Sequence, residues 1–136
     1  NLMASKFLKK IIAKDQQGLN TISAICSESK IKISDIKFLK NNHIFLLLIE
    51  RFNKEGSKKE KKINSILKFE YINASKSKNI NQNNNDKIIE LISINLFKKE
   101  ENYEITLLFL NNVIITLIAE IIEVTLEDQR INDKNW

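Results

Sequence analysis

The sequence predicts an α+β domain in which a strongly curved antiparallel β-sheet of about seven strands, a sandwich or an open barrel, carries one packed N-terminal helix. Residues 16–28 show apolar side chains at helical spacing, whereas most of the chain alternates with a period of two. The pairs Asn41–Asn42 and Asn111–Asn112 interrupt that alternation. They favour hairpin turns because asparagine tolerates positive φ.

The N-terminal segment predicts a short strand followed by the helix. Residues 7–13 are apolar enough for a strand, and the Asp15 carboxylate can cap a helix by accepting an orphan backbone N–H. One apolar face of the helix is then formed by Leu19, Ile22, Ile25 and Cys26. We therefore expect one amphipathic helix of about three turns over residues 16–28.

The remaining alternation predicts six further strands. The second of these six contains the most apolar run of the chain, so it is expected to be central and covered on both faces. Polar stretches without apolar period predict surface loops at 53–61 and 79–87. The predicted strands are 30–40, 43–52, 63–78, 88–97, 103–110 and 113–122.

The C-terminal segment is ambiguous in periodicity. Residues 116–126 fit both a strand and a helical stripe, so the sequence leaves strand or helix open over 116–129, with strand favoured to about Ile122 because β-branched residues are frequent. Residues 131–136 have no pattern, which predicts a loosely ordered tail from about residue 130.

Length and composition predict one soluble domain over residues 1–136, with 43% hydrophobic and 29% charged residues. A lone cysteine, Cys26, cannot form an internal disulfide and gives no sign of an oxidising compartment. No signal-peptide pattern is present, and the longest apolar run, residues 44–49, is too short to span a membrane. A cytoplasmic protein without membrane contact is expected.

The net charge of +5 raises nucleic acid as a partner. Arg51 and Arg130 are the only arginines, however, and arginine is the residue that reads phosphates and base edges with a bidentate fork. The chain is rich in Ile, Asn and Lys, the residues of A/T-rich codons, so genome composition accounts for the lysines. The basic stretch Lys58, Lys59, Lys61 and Lys62 is interpreted as a solvated loop, and nucleic acid is not expected as a partner.

No catalytic, metal or cofactor site is predicted. Cys26 lies on the apolar helix stripe and His43 abuts a turn, so a nucleophilic pair lacks an orienting group. One cysteine and one histidine are too few for a zinc site, and the two glycines, Gly18 and Gly56, lie too far apart for a phosphate loop.

Four charged residues within strand segments, Arg51, Glu70, Glu120 and Glu123, are the candidate binding residues. Three interpretations stay open: solvated charges on edge strands, a structural ion pair, or a binding site. Arginine stays charged when buried, so we expect Arg51 to bond at least one of the three glutamates.

Four short motifs occur in order along the chain: an aspartate before a Leu-x-x-Ile-Ser-Ala helix, a strand ending in Arg-Phe, Leu-x-Phe-Glu, and Glu-x-Ile-Glu before a late tryptophan. They begin at Asp15, Arg51, Leu67 and Glu120, and the tryptophan is Trp136. Together they resemble the bacterial family called domain of unknown function 2948, found chiefly in alphaproteobacteria. The resemblance implies a stand-alone cytoplasmic protein and names no activity.

The first functional hypothesis is a non-enzymatic scaffold or adaptor that binds protein partners, or itself, through edge strands. The alternative is a small-molecule-binding protein or an enzyme with its site inside the curved sheet. Weak nucleic-acid binding through basic loops is a further alternative.

Overall fold

A computed structural model describes residues 8–53, 61–81 and 83–130 of the chain. Those residues form ten strands and one α-helix, so the predicted α+β class and its antiparallel sheet are confirmed, while the number of strands is higher than predicted. The helix α1 is Gln16–Cys26. The strands are β1 Lys10–Ala13, β2 Lys30–Lys32, β3 Ile36–Leu39, β4 Ile44–Asn53, β5 Lys61–Phe69, β6 Ile72–Lys78, β7 Ile88–Lys98, β8 Tyr103–Phe109, β9 Ile114–Ala119 and β10 Val124–Asp128.

The higher strand number comes from chain corners that the alternating pattern does not reveal. A 3-10 turn, Ile33–Asp35, divides the predicted strand 30–40 into β2 and β3. Tyr71, with a φ of 60°, divides the predicted strand 63–78 into β5 and β6. The ambiguous segment 116–129 consists of the end of β9, a turn and β10. Neither glycine nor proline marks any of these corners, so the sequence pattern does not locate them.

The sheet is open, and its strand order is β1-β10-β5-β4-β2-β7-β8-β9-β6, with β3 added on β4. All the ladders are antiparallel, and the three-residue β2 joins β4 to β7. The described strands therefore do not close into a barrel. One half of the sheet is built around β4 and the other around β8.

Strand β4 is central, as predicted, because β5 pairs with its residues 45–53 while β3 and β2 share the other edge. Its inward side chains are buried in the core: Phe45, Leu47 and Ile49. Outward coverage is only partial, since Leu48 is buried but Leu46 is half-buried. Burial on both faces thus holds for one part of the strand.

Helix α1 packs against β7, β1 and β4. Its N-terminus is capped as predicted, because an Asp15 carboxylate oxygen accepts a 2.7 Å hydrogen bond from the Gly18 N–H. Ser23 Oγ accepts a 2.9 Å bond from the Ile94 N–H, which ties the helix to β7. The inward face of the helix is formed by Leu19, Ile22 and Cys26.

The predicted turn with positive φ is confirmed at Asn111–Asn112, but near Asn41–Asn42 the residue with positive φ is the one that follows the pair. Asn111 and Asn112 have φ of 65° and 60°, as a hairpin turn between β8 and β9 requires. Before β4, however, the left-handed residue is His43, with φ 57°, after a 3-10 turn at Lys40–Asn42.

Parts of three sequence predictions lie outside the described residues: the start of the first strand at residue 7, most of the basic loop at 54–60, and the tail at 131–136. Lys61 and Lys62, which were assigned to the basic stretch, begin β5. In the described ranges, no helix has the length and apolar character needed to cross a membrane.

Candidate functional site

Arg51 lies on the inward face of β4 and forms a buried ion pair with Asp128 of β10. The Arg51 Nε–H donates to Asp128 Oδ1 at 3.0 Å, and Nη2–H donates to Oδ2 at 2.7 Å. The two side chains are only 2% and 0% exposed. This bidentate geometry is the strongest that an arginine and a carboxylate can adopt.

Two further donors form hydrogen bonds with the Asp128 carboxylate. Ser65 Oγ–H donates to Oδ1 at 2.6 Å, and the Lys9 backbone N–H donates to Oδ2 at 2.8 Å. Burial by itself raises the pKa of Asp128, but the bonds from Arg51, Ser65 and Lys9 outweigh burial and hold the pKa below its ordinary value. We call Arg51, Ser65 and Asp128 the ion-pair cluster.

The expected pairing of Arg51 with a glutamate is wrong, because the partner is Asp128. Glu70 and Glu123 lie at the other end of β5, beyond the Phe69–Phe45 pair, whereas Arg51 lies opposite Ile63. The missed signal was the alternation Val124-x-Leu126-x-Asp128, which places the aspartate on the buried face of β10.

Cys26 lies beside the ion-pair cluster and is fully buried, as predicted. Burial raises the pKa of its thiol to about 12; the charge of Arg51 lowers it and that of Asp128 raises it. Such a thiol is a poor nucleophile at neutral pH. His43 is exposed at the opposite end of β4, so the structure does not bring the cysteine and the histidine together.

Ser29, three residues after Cys26, differs from the other described residues. Its side-chain oxygen is buried and has no hydrogen-bond partner.

The three glutamates gather at the opposite end of the sheet from Arg51. The neighbouring Glu123 carboxyl is the main cause of a raised pKa at Glu70; burial adds to the rise, the Lys68 charge opposes it, and the Glu123 charge adds a smaller contribution. Lys14 Nζ lies 3.8 Å from Glu123. The arrangement is an acidic pair on the surface, and its role in binding stays a prediction.

Glu120 lies on the rim of a shallow surface depression that it shares with Glu70. The depression has a volume of about 310 Å³, and its other lining residues are Asn42, His43, Tyr71 and Asn73. Across the described part of the chain, no three His, Cys, Asp or Glu side chains are placed to hold a metal ion.

A concavity lies between strands β3 and β6, and we call it the edge cleft. It has a volume of about 580 Å³. Strands β3 and β4 supply one side, strands β6 and β9 supply the other, and none of the described residues that line it is charged. The lining residues are Ile33, Ser34, Ile36, Phe38, Phe45, Ser75, Ser77, Ile80, Asn85 and Ile115.

Both ends of the edge cleft are tied by hydrogen bonds. At one end the Ile72 N–H donates to the His43 carbonyl at 2.9 Å, and His43 Nδ1 lies 3.2 Å from the Ile72 carbonyl oxygen. At the other end the Ser34 N–H donates to the Asn85 carbonyl at 3.0 Å, and the Ile33 N–H donates to that of Lys87 at 3.0 Å. These bonds hold the two walls at a fixed separation.

Each wall of the edge cleft is a strand with one unpaired edge. Among the described strands, β3 pairs with β4 alone and β6 pairs with β9 alone. The free edge of a strand presents backbone N–H and C=O groups that another extended chain can bond. Sequence reasoning predicted edge strands but not this cleft, because strand order decides which edges face each other.

Comparison with known proteins assigns the chain to a family. No curated protein and no solved structure matches it. The model of the family described as "Protein of unknown function (DUF2948)" matches residues 9–135, nearly the whole chain and the full set of strands described above. The protein therefore belongs to the DUF2948 family.

Proposed function

We propose that this protein is a non-enzymatic partner-binding domain that takes an extended segment of another polypeptide as an added strand in the edge cleft. The observation that carries the proposal is the pair of free edges, on β3 and β6, that border one cleft. Strand addition of this kind obtains affinity from backbone hydrogen bonds and specificity from alternate side chains.

The dimensions of the edge cleft suit a short segment. An extended chain advances about 3.3 Å per residue, so a segment as long as the four-residue β3 covers roughly 13 Å. The floor is apolar and buried, because Phe45 and Ile115 lie beneath the opening. Alternate side chains of an added strand would cover this floor and remove its apolar surface from water.

A small molecule is the second candidate for the same cleft. The tied ends favour a bounded ligand, and 580 Å³ lies within the range of roughly 300–1,000 Å³ typical of ligand sites. Four polar side chains in the lining offer hydrogen bonds to such a ligand: Ser34, Ser75, Ser77 and Asn85.

A cytoplasmic location is part of the proposal. Cys26 is a free thiol, which suits a reducing compartment. Nucleic acid is the weakest candidate, because no described residue that lines the edge cleft carries a charge to meet a phosphate backbone.

The test is a selection of ten-residue peptides from a random displayed library, followed by titration of a selected peptide into isotope-labelled protein. We expect the amide signals of β3 and β6 to shift. The variant Ser77→Phe fills the cleft and should weaken binding at least tenfold, whereas Thr116→Phe, in the alternate register on β9, should leave binding unchanged.

The outcomes separate the two candidates. The second candidate would be favoured if no peptide were selected and a small-molecule fragment bound the wild-type protein but not the Ser77→Phe variant. Peptide binding that shifts other strands and is unaffected by Ser77→Phe would contradict both.

A further inference from the structure

We infer that the segment accepted by the edge cleft is acidic and alternates aliphatic with carboxylate side chains. This inference rests on the proposed function and specifies the chemistry of its partner. It follows from which side chains the two cleft walls turn inward and which they turn outward.

The inward positions of both walls are apolar or small. Ile36 and Phe38 of β3 line the cleft from one side, and Ser75 and Ser77 of β6 line it from the other. The serines are shorter than the aliphatic residues usual in strands, so they leave room above the floor. An added strand therefore finds space and apolar contact for small aliphatic side chains at its inward positions.

The outward positions of both walls carry lysines. Strand alternation turns Lys76 and Lys78 of β6 away from the cleft lining, and Lys37 occupies the corresponding position on β3. Lys76 and Lys78 are exposed, and their cross-strand neighbours on β9, Thr116 and Ile114, are uncharged. Across the described residues, neither lysine has a carboxylate within ion-pair distance.

An added strand beside β6 would place its outward side chains next to these lysines. Opposite charges on adjacent strands attract, and two such pairs strengthen binding by roughly two- to thirty-fold. Two carboxylates, Asp35 and Asp86, occur in the turn and the loop near one end of the cleft, and Lys87 follows the second of them. Neither of the two edge strands, β3 and β6, carries an acidic residue, so an acidic segment fits them and a basic one is repelled.

The experiment compares three synthetic peptides of equal length in which valine alternates with glutamate, glutamine or lysine. Affinities are measured by fluorescence anisotropy at low and at high salt. We expect the glutamate peptide to bind at least threefold more tightly than the glutamine peptide, and the lysine peptide to bind most weakly. Added salt should reduce the difference because it screens exposed charges.

The matched variants carry the same change in net charge at two places. Lys76→Gln with Lys78→Gln should abolish the preference for glutamate over glutamine, while Lys61→Gln with Lys62→Gln, at the distant start of β5, should preserve it. Equal binding of the glutamate and glutamine peptides to wild type would overturn the charge inference and leave the proposed function standing. Failure of all three peptides to bind would overturn the proposed function, and this inference with it.

Discussion

Strand β4 contributes to two regions of opposite character. At one end Arg51 enters the ion-pair cluster, where a bidentate bond, a serine and a backbone N–H surround Asp128. At the other end Phe45 forms part of the floor of the edge cleft, which is open and bordered by unpaired strand edges. The charged groups of the ion-pair cluster are hydrogen-bonded and buried. The strand edges at the edge cleft, in contrast, have no other described strand paired with them.

The difference separates stability from function. Buried charge that is fully bonded holds β4, β5 and β10 in register, and it offers nothing for a ligand to bind. Free strand edges contribute little to the fold but can bond another chain. Substitutions in the ion-pair cluster should therefore destabilise the protein, and substitution of the exposed cleft residue Ser77 should alter binding while the fold remains.

The largest effect is expected from Arg51→Ala. It leaves the Asp128 carboxylate buried without its arginine partner, which should lower the free energy of unfolding by about 3–5 kcal/mol. Lys62→Ala is the control: it removes an exposed lysine 3.8 Å from Glu50 and should change stability by about 0–1 kcal/mol. Urea denaturation measures the free energy of unfolding of both variants.

A double variant shows whether the loss in Arg51→Ala comes from the unpaired carboxylate. Arg51→Met combined with Asp128→Leu removes both charges and should recover much of the stability lost in Arg51→Ala. If Arg51→Ala were no more harmful than Lys62→Ala, the buried pair would have no structural role.

Acid should weaken the fold through Asp128. Its pKa is lower in the folded protein than in the unfolded chain, so its contribution is complete above the ordinary value of 3.8 and is lost as pH falls through the folded pKa. The difference in unfolding free energy between wild type and Asp128→Asn should therefore shrink as pH falls below 3.8. A difference independent of pH would show that the carboxylate is not charged in the fold.

Cys26→Ser should lower stability by about 1–2 kcal/mol, because it adds a buried hydroxyl in place of a small apolar thiol. The native thiol should also resist a bulky labelling reagent until the protein unfolds. Rapid labelling under native conditions would contradict the placement of Cys26 in the core.

The smallest effect is expected from Glu70→Gln. The raised pKa of Glu70 means that its ionised form destabilises the fold, so this change should raise the free energy of unfolding at neutral pH, by at most about 0.5 kcal/mol. Glu120→Gln, at an exposed neighbouring position, is the control and should have no effect. A loss of stability in Glu70→Gln would point to a bonding role for its carboxylate.

Local features of the fold could be predicted from the sequence, and long-range pairings could not. The Asp15 cap and the Asn111–Asn112 turn depend on neighbouring residues, and both are present. The bond between Arg51 and Asp128 joins residues 77 positions apart, so only the order of the strands determines it. Alternation identifies Arg51 as a buried charge that needs a partner, yet it cannot distinguish one carboxylate from another across the sheet.

The same limit applies to the edge cleft. Alternation places Ser75 and Ser77 on one face of a strand, but it does not predict the break at Tyr71 after which that strand begins. Which strand lies opposite depends on β6 being the last strand of the sheet. The candidate binding region thus emerges from topology and not from any motif.

Amide hydrogen exchange, with and without the valine–glutamate peptide, tests the central claim most directly. We predict that the peptide slows exchange in Ile36–Leu39 and Ile72–Lys78 and leaves Val124–Asp128, beside the ion-pair cluster, unchanged. Unchanged exchange in both cleft strands at a saturating peptide concentration, or protection confined to strands remote from the edge cleft, would contradict it.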